Sequence, residues 1–463
     1  MDLKESLINY FELEEHNTDF RTEVVAGITT FLAMSYIVVV NPDILSFAIK
    51  DIPGTTATEI EQMLAVVTIL SSAIAIFIMA FYANRPFALA PGLALNAFFA
   101  FTVVGQMGIP WQTALAAVVV EGVIFIILTA IGAREYIIQL FPEPVKFAVG
   151  TGIGLFLTII GLQEMHIVVN DKATLVQLGN VASDPIAIVS VVGLFITIML
   201  YANGIPGSII IGIGLTSLIG WGATFVGLVK AGLLAPQSLP APQYNITPLV
   251  GSFIQGFQGI EAFSFALIIF TFFFVDFFDT AGTLTGVSQI AGFLDEEGNL
   301  PEMNKPLMAD AIGTTIGGML GTSTVTTFIE SSTGVEEGGR TGLTAAVVGV
   351  LFLLSLVFVP LAAAIPIYAS HIALVMVGLI MLQHVVEIAW NDLAYALPAG
   401  MTITIMPLTF SIAYGIAAGI ITYPLVMTAQ GRSEEIHPGQ WVLAAAFILY
   451  FVVRTGGFIS GTV

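Results

Sequence analysis

Apolar windows long enough to cross a bilayer recur from one end of this chain to the other, and that repetition sets its class. A transmembrane helix needs about 20 mostly apolar residues. Inside hydrocarbon every backbone N–H and C=O must be bonded internally, so a chain of this pattern folds as packed helices. The windows fall at 24–41, 63–82, 87–104, 113–132, 145–163, 185–203, 207–229, 262–291, 306–321, 323–338, 341–364, 371–390, 395–411 and 412–428, fourteen in all. The last two are short and share Pro407, so 395–428 also reads as a re-entrant half-helix plus one span. A further stretch, Gln440–Val453, is short for a span and is expected in the interface. The longest polar connectors, about Lys50–Gln62, Glu164–Asp184, Lys230–Gln258 and Leu294–Lys305, are too short for a soluble domain. Only 10% of residues are charged, against about 25% in soluble domains. The expected fold class is an all-α polytopic membrane protein.

Several functions are excluded early. The chain has no cysteine, so disulfides, thiolate metal sites and cysteine nucleophiles are ruled out. A net charge of −20 argues against nucleic acid and against a basic lipid-binding patch. No histidine cluster has metal-ligand spacing, and no glycine-rich loop follows a strand and opens a helix. Neither a metal nor a cofactor is expected. Residues 1–23 are polar and acidic and lack the pattern of a signal peptide. Within them Leu3, Leu7, Ile8, Tyr10, Phe11 and Leu13 predict a short amphipathic helix on the cytoplasmic membrane face. Counting from a cytoplasmic N-terminus, Lys4, Arg21, Arg85, Arg134, Lys146, Lys305, Arg340 and Arg432 fall inside, and Lys50, Lys172 and Lys230 outside. The positive-inside rule then places both termini in the cytoplasm of a multi-pass plasma-membrane protein, with Arg432 fitting only if both short spans are real.

Two windows are wrong for ordinary spans. Phe87–Val104 carries Pro91, Gly92 and Asn96 in its first half. Gly321–Gly339 (G-T-S-T-V-T-T-F-I-E-S-S-T-G-V-E-E-G-G) is polar and β-branched. Both, the third and tenth spans, are expected to be part extended and part helical, which survives at membrane depth only when buried or lining a cavity. They lie about half a chain apart, and the segments after them resemble each other: T-A-L-A-A-V-V-V-E-G-V-I-F from Thr113 and T-G-L-T-A-A-V-V-G-V-L-F from Thr341. An internal repeat of seven spans is odd-numbered, so its halves are inverted, and the broken segments meet near the midplane.

The chemistry sits in F-T-F-F-F-V-D-F-F-D-T-A-G (Phe270–Gly282). One Asp at mid-bilayer costs roughly 2.5–3.5 kcal/mol on an insertion scale. Asp276 and Asp279, three residues apart, share a helix face. An intramembrane acidic pair marks a substrate or ion pathway; the bland alternative is a pair bonded to neighbouring helices for packing alone. Glu330, with Ser331 and Ser332, lies in the second broken segment, Asn96 in the first, and Asp310 early in the ninth span. Carboxylates and an amide suit a small planar neutral ligand bearing ring N–H donors and carbonyl or ring-nitrogen acceptors, such as a nucleobase. Phe98, Phe99, Phe277 and Phe278 are candidates for stacking on it, although most of the 34 phenylalanines face lipid or pack. Burial favours the protonated form of a carboxyl group. Proton symport is therefore expected, with Asp279, Glu330 or Asp310 as carrier; sodium also fits these residue types. Glu121 reads equally as a helix–helix hydrogen bond or a site. Glu336 or Glu337 with Arg340, His371, and His384 with Glu387 read as interfacial groups at span ends.

Four strings carry a family likeness: Thr22–Pro42 (T-E-V-V-A-G-I-T-T-F-L-A-M-S-Y-I-V-V-V-N-P), Ala90–Phe99 (A-P-G-L-A-L-N-A-F-F), Val275–Leu284 (V-D-F-F-D-T-A-G-T-L) and Phe328–Thr344 (F-I-E-S-S-T-G-V-E-E-G-G-R-T-G-L-T). Through them nearly the whole chain resembles the nucleobase–cation symporters, in the AzgA-like purine branch of hypoxanthine/guanine and adenine permeases. The resemblance implies seven-plus-seven inverted spans divided into two domains. The core, 24–133 and 260–364, would hold the substrate. The gate, 143–230 and 366–455, would form the barrier and a homodimer contact. It implies Asn96, Asp276 and Glu330 as purine-binding residues, Asp279 as the second acid needed for transport, and Asp310 as an acid tied to proton coupling. Ala94 departs from the branch, which usually has glycine there. Hypoxanthine and guanine are favoured over adenine by overall likeness. An anion carrier of the same architecture would put a cation or bare helix N-termini at the site. A membrane-embedded phosphotransferase would need further carboxylates and basic residues, which are missing.

Overall fold

The computed structural model describes residues 3–132, 141–230, 232–236, 238–258, 262–295 and 300–455, so Arg134 lies outside the described residues. Every predicted window holds an element. The first half runs α1 (Leu3–Tyr10), α2 (Phe20–Met34), α3 (Ile37–Ser46), α4 (Ala57–Ile78), β1 (Leu89–Pro91), α5 (Leu93–Ala97), α6 (Trp111–Ala130), α7 (Glu143–Glu164), β2 (Val168–Asp171), β3 (Leu175–Leu178), α8 (Pro185–Ala202) and α9 (Ser208–Phe225). The second runs α10 (Ala262–Ala291), α11 (Asn304–Leu320), β4 (Val325–Thr327), α12 (Ser331–Glu336), α13 (Gly342–Ser355), α14 (Val359–Ala362), α15 (Ile367–Ser370), α16 (Ile372–Met381), α17 (Leu393–Thr409), α18 (Ile412–Ala429) and α19 (Pro438–Thr455). Among the described residues ten helices are long and apolar enough to cross a membrane.

Element boundaries follow local chemistry. Asp19 caps α2 by accepting from the Arg21 and Thr22 N–H groups, and Thr56 with Glu59 forms a capping box at α4. After α4 the chain widens into a π-helical turn, Met79–Ala83, and stops at Asn84, whose φ of 48° lies in the left-handed region. Leu93–Ala97 continues as a π-helix over Phe98–Gln106. The stretch 395–428 is two helices, since Phe410 leaves α17 at φ 50° and Ser411 caps α18. The first of them, at 17 residues, falls short of the ten span-length helices. The final apolar stretch extends to an 18-residue helix, α19, packed on α18. The connector Glu164–Asp184 folds into a hairpin of β2 and β3 that polarity alone did not announce.

The halves are related as an inverted repeat. α6 packs on α10 and α11, and its counterpart α13 packs on α2 and α4, so each half lends its fourth span to the other. β1 and β4 pair antiparallel, as an inverted axis between them requires. These elements make one bundle, the core. α7, α16 and α17 pack together, with α8 against α9 and α17 against α18, as a second bundle, the gate. At the amino end Phe11 and Leu13 are buried, and the Tyr10 hydroxyl donates to the Phe81 carbonyl at 2.9 Å, so α1 is docked onto the protein by its apolar face.

Two span-end expectations change. The Arg340 guanidinium donates to the Val335 and Gly339 carbonyls at 2.6 and 2.8 Å, and among the described residues it pairs with neither Glu336 nor Glu337. Carbonyls released at the end of α12 lack helical partners and take the cation. His371 is fully buried rather than interfacial, because the short α15 after Pro366 packs inward against α3, and its Nδ1 bonds the Ile367 carbonyl at 3.0 Å. His384 and Glu387 do form a partly exposed pair at 3.4 Å.

Candidate functional site

The centre of the core is a crossing of two extended strands. Leu89, Ala90 and Pro91 stand opposite Thr327, Thr326 and Val325. Gly92 N–H donates to the Thr324 carbonyl at 3.0 Å and Phe328 N–H to the Ala88 carbonyl at 2.9 Å, closing the ladder at both ends. Proline ends helical bonding in the third span, and Val325, Thr326 and Thr327 favour an extended chain in the tenth. Gly92 is required by the close approach: a Cβ there would lie 2.6 Å from Thr326 Cγ2. Neighbouring side chains lock the crossing. Ser323 Oγ donates to Asn96 Oδ1, and Ser331 Oγ accepts the Ala88 N–H at 3.0 Å. Asn41 Nδ2 bridges Thr68 and Thr322 at 2.6 and 3.0 Å.

α10 passes beside this crossing and divides its two aspartates between unlike settings. Asp276 is fully buried, and neither carboxylate oxygen has a hydrogen-bonding partner among the described residues. Its acidic neighbours are Glu121 from α6, Asp310 from α11 and Asp279. Asp310 Oδ1 accepts from Thr280 and Thr327 at 3.0 and 3.1 Å, and Thr280 in turn meets Thr326 at 2.6 Å. Asp279 and Glu330 are only half-buried and face each other electrostatically. The Tyr36 hydroxyl, from the break between α2 and α3, donates to Glu330 Oε1 at 2.6 Å.

The structure thus brings Asn96, Asp276, Asp279, Asp310, Glu330 and Ser331 around one crossing. The aromatic candidates are arranged differently. Phe98 is buried edge-on against Phe272 with centroids 4.8 Å apart, one helical turn before Asp276. Phe277 is buried on another face of α10, against Phe125 and Phe273. One partner escaped the sequence reading, and another was read without its direction. Tyr36 stands in an apolar window 294 residues from Glu330, and nothing local marks it. Glu121 had a visible signal, a lone acid mid-span, which did not say where it pointed.

Paired broken spans crossing inside an inverted seven-plus-seven bundle, ringed by acids, define a membrane permease. The profile of the Permease family, the xanthine/uracil permeases, matches residues 21–418, and the chain belongs to that family. It is 41% identical to the guanine/hypoxanthine permease PbuG of Bacillus subtilis, over 96% of this chain and 99% of that protein. It is 40% identical to the adenine permease AdeP of Escherichia coli, over 96% and 95%. Among solved structures, the transmembrane domain of the cyanobacterial bicarbonate transporter BicA superposes with a TM-score of 0.59 at 16% identity, covering 86% of this chain and 97% of that one; this likeness speaks for the fold alone.

Proposed function

We propose that this protein imports a purine base, hypoxanthine or guanine by preference, in symport with protons, by moving the core against the gate. One observation carries the reading: amide and acid side chains from both inverted halves, Asn96 with Asp276 and Glu330, converge on the β1–β4 crossing. A carboxylate accepts two N–H groups from one edge of a base, and an amide serves a donor–acceptor edge. Ser331 fixes the crossing, Phe98 and Phe277 shape its apolar walls, and Asp279, Asp310 and Glu330 are the acids proposed to exchange the proton. No metal or cofactor takes part in this scheme. The core comprises 24–133 and 260–364 and the gate 143–230 and 366–455, with both termini cytoplasmic and two copies meeting through their gates.

Likeness to the guanine/hypoxanthine and adenine permeases supports a purine without choosing between them, and an adenine-selective carrier is the second reading. Acids at the site oppose an anion as cargo despite the shared fold. Uptake of radiolabelled hypoxanthine, guanine and adenine by a purine-transport-deficient host, with and without a protonophore, tests the proposal. Accumulation of a purine that collapses with the gradient is expected. Failure to accumulate any of the three, or indifference to the protonophore, overturns it. Asp276→Asn and Glu330→Gln, made separately, should each weaken binding and cut uptake, and normal uptake with either removes that residue from the binding role.

A further inference from the structure

α6 turns a glutamate into the core where packing has no use for one. Glu121 lies at mid-helix and is fully buried. Its direction is fixed by the tight α6–α11 contact, since a Cβ on the adjacent Gly122 would sit 2.5 Å from Thr315 Oγ1 and 2.8 Å from Thr315 N. Among the described residues Glu121 Oε2 receives only a long bond from Thr324 Oγ1, at 3.4 Å, and Oε1 has no partner. Across from it stands Asp276, with both oxygens unpartnered among the described residues and within hydrogen-bonding reach of Glu121 once one of the two is protonated. Ionised carboxylates only accept hydrogen bonds, so two that face each other bond only once one of them holds a proton. An unpaired buried charge is costly, and a shared proton relieves both groups together.

We propose that Glu121 and Asp276 share one proton, and that Glu121 keeps it when a purine arrives. The inference rests on the purine-symport reading for its cargo. Before binding, the proton bridges a Glu121 oxygen and an Asp276 oxygen. On binding, the O–H bond on Asp276 breaks, the proton passes to Glu121, and the freed Asp276 carboxylate accepts the N–H of the base. Release of the base reverses the transfer. No charge enters or leaves the sealed pair in this exchange, and Asp310, held by Thr280 and Thr327, stays a bystander to it. Glu121 thereby acts through Asp276 and never touches the cargo.

Infrared difference spectroscopy of the full-length protein in lipid nanodiscs, titrated in pH without substrate, reads the pair directly. A C=O band at the frequency of a proton shared between two carboxyl groups is expected, and Glu121→Gln and Asp276→Asn should each remove it, leaving only the distinct band of a lone buried acid. Survival of the band in either variant overturns the shared proton. This readout needs no purine, so it decides the pair even if no purine binds. Where a purine binds, the internal transfer gives its affinity no pH dependence from this pair; such a dependence should appear in Glu121→Gln, where Asp276 must give its proton to solvent, and vanish again in Glu121→Asp, while an unaltered profile in Glu121→Gln makes the residue a packing group. Should Glu121→Gln fail to fold, Glu121→Asp must shift the band frequency, and an unshifted band is equally fatal.

Discussion

Tyr36→Phe removes one oxygen and leaves a ring of nearly the same shape in a site only 1% exposed, so it tests what the hydroxyl does for Glu330. The bond is short, 2.6 Å, and runs from a neutral donor to a carboxylate oxygen. Such bonds contribute roughly 1.5–3 kcal/mol. If the hydroxyl holds Glu330 in the pose that meets the base, its loss is felt in binding. At about 1.4 kcal/mol per decade, affinity should fall roughly 10- to 100-fold. The assay is equilibrium binding of radiolabelled hypoxanthine, guanine and adenine to purified protein, for the wild type, Tyr36→Phe, Glu330→Gln and the double variant. Contacting residues are expected to be non-additive, so Tyr36→Phe should cost far less in the Glu330→Gln background. Affinity unchanged or improved in Tyr36→Phe, or a penalty that persists undiminished beside Glu330→Gln, would refute the positioning role.

Gly122→Val should lower the melting temperature in detergent, because overpacking costs about 1–3 kcal/mol and the obstacle is Thr315 backbone; Gly214→Ala, where a Cβ meets nothing within 4 Å, should leave it unchanged. Ser331→Ala strands the buried Ala88 N–H and should cost about 1–3 kcal/mol, read as a lower thermal midpoint with the crossing loosened. Ser370→Ala breaks the buried link to Asp43 and should alter transport turnover more than equilibrium binding; equal changes in both would count against a hinge contact. At α17, bonds from the Ala394 N–H and then from Arg432 hold the Asp392 carboxylate below its ordinary value of 3.8. A depressed folded value means this contribution is complete above about pH 4 and disappears as the pH falls further. The acid limb of a melting-temperature profile should therefore flatten in Asp392→Asn, and an unchanged limb would show that the cap is immaterial.

The fold was legible wherever periodicity and composition coincide. Windows of apolar residues located every span, and Pro91, Gly92 and the T-S-T-V-T-T run named the two that are not simple helices. The repeat was visible in Thr113–Phe125 and Thr341–Phe352, which become α6 and α13 in corresponding positions. What sequence leaves open is azimuth. Apolar windows in a bilayer carry weak amphipathicity, because lipid-facing and protein-facing sides are equally oily, so the face on which Glu121 points could not be read. The same ambiguity hid Tyr36, and it made Phe98 and Phe277 look like one aromatic group, although they pack against different faces of the site. His371 was misplaced for a related reason: closeness to a span end was taken as closeness to water, while the short helix after Pro366 turns inward.

The division on α10 gives the proposed alternating access a physical form. Asp276 belongs to the sealed interior of the core, among Glu121, Asp310 and four threonines. Asp279, less than a turn away, is partly exposed, lies near enough to Glu330 for their like charges to oppose each other, and feels His384 from the gate. On the proposed motion of core against gate, the boundary would run past Asp279 and Glu330, while Asp276 would stay inside the core. Polar contacts across that boundary among the described residues include Thr102 to the Phe410 carbonyl at 3.1 Å, Gln106 to the Thr409 carbonyl at 2.7 Å, and Ser370 to Asp43. Each is replaceable by water once the bundles part, whereas the ladder between β1 and β4 has no such substitute at membrane depth. The crossing must therefore travel intact with its acids. On the proposed function, a cargo bonded to it would be carried by the whole core, with Asp279 and Glu330 as the groups exchanged between the gate and the aqueous side.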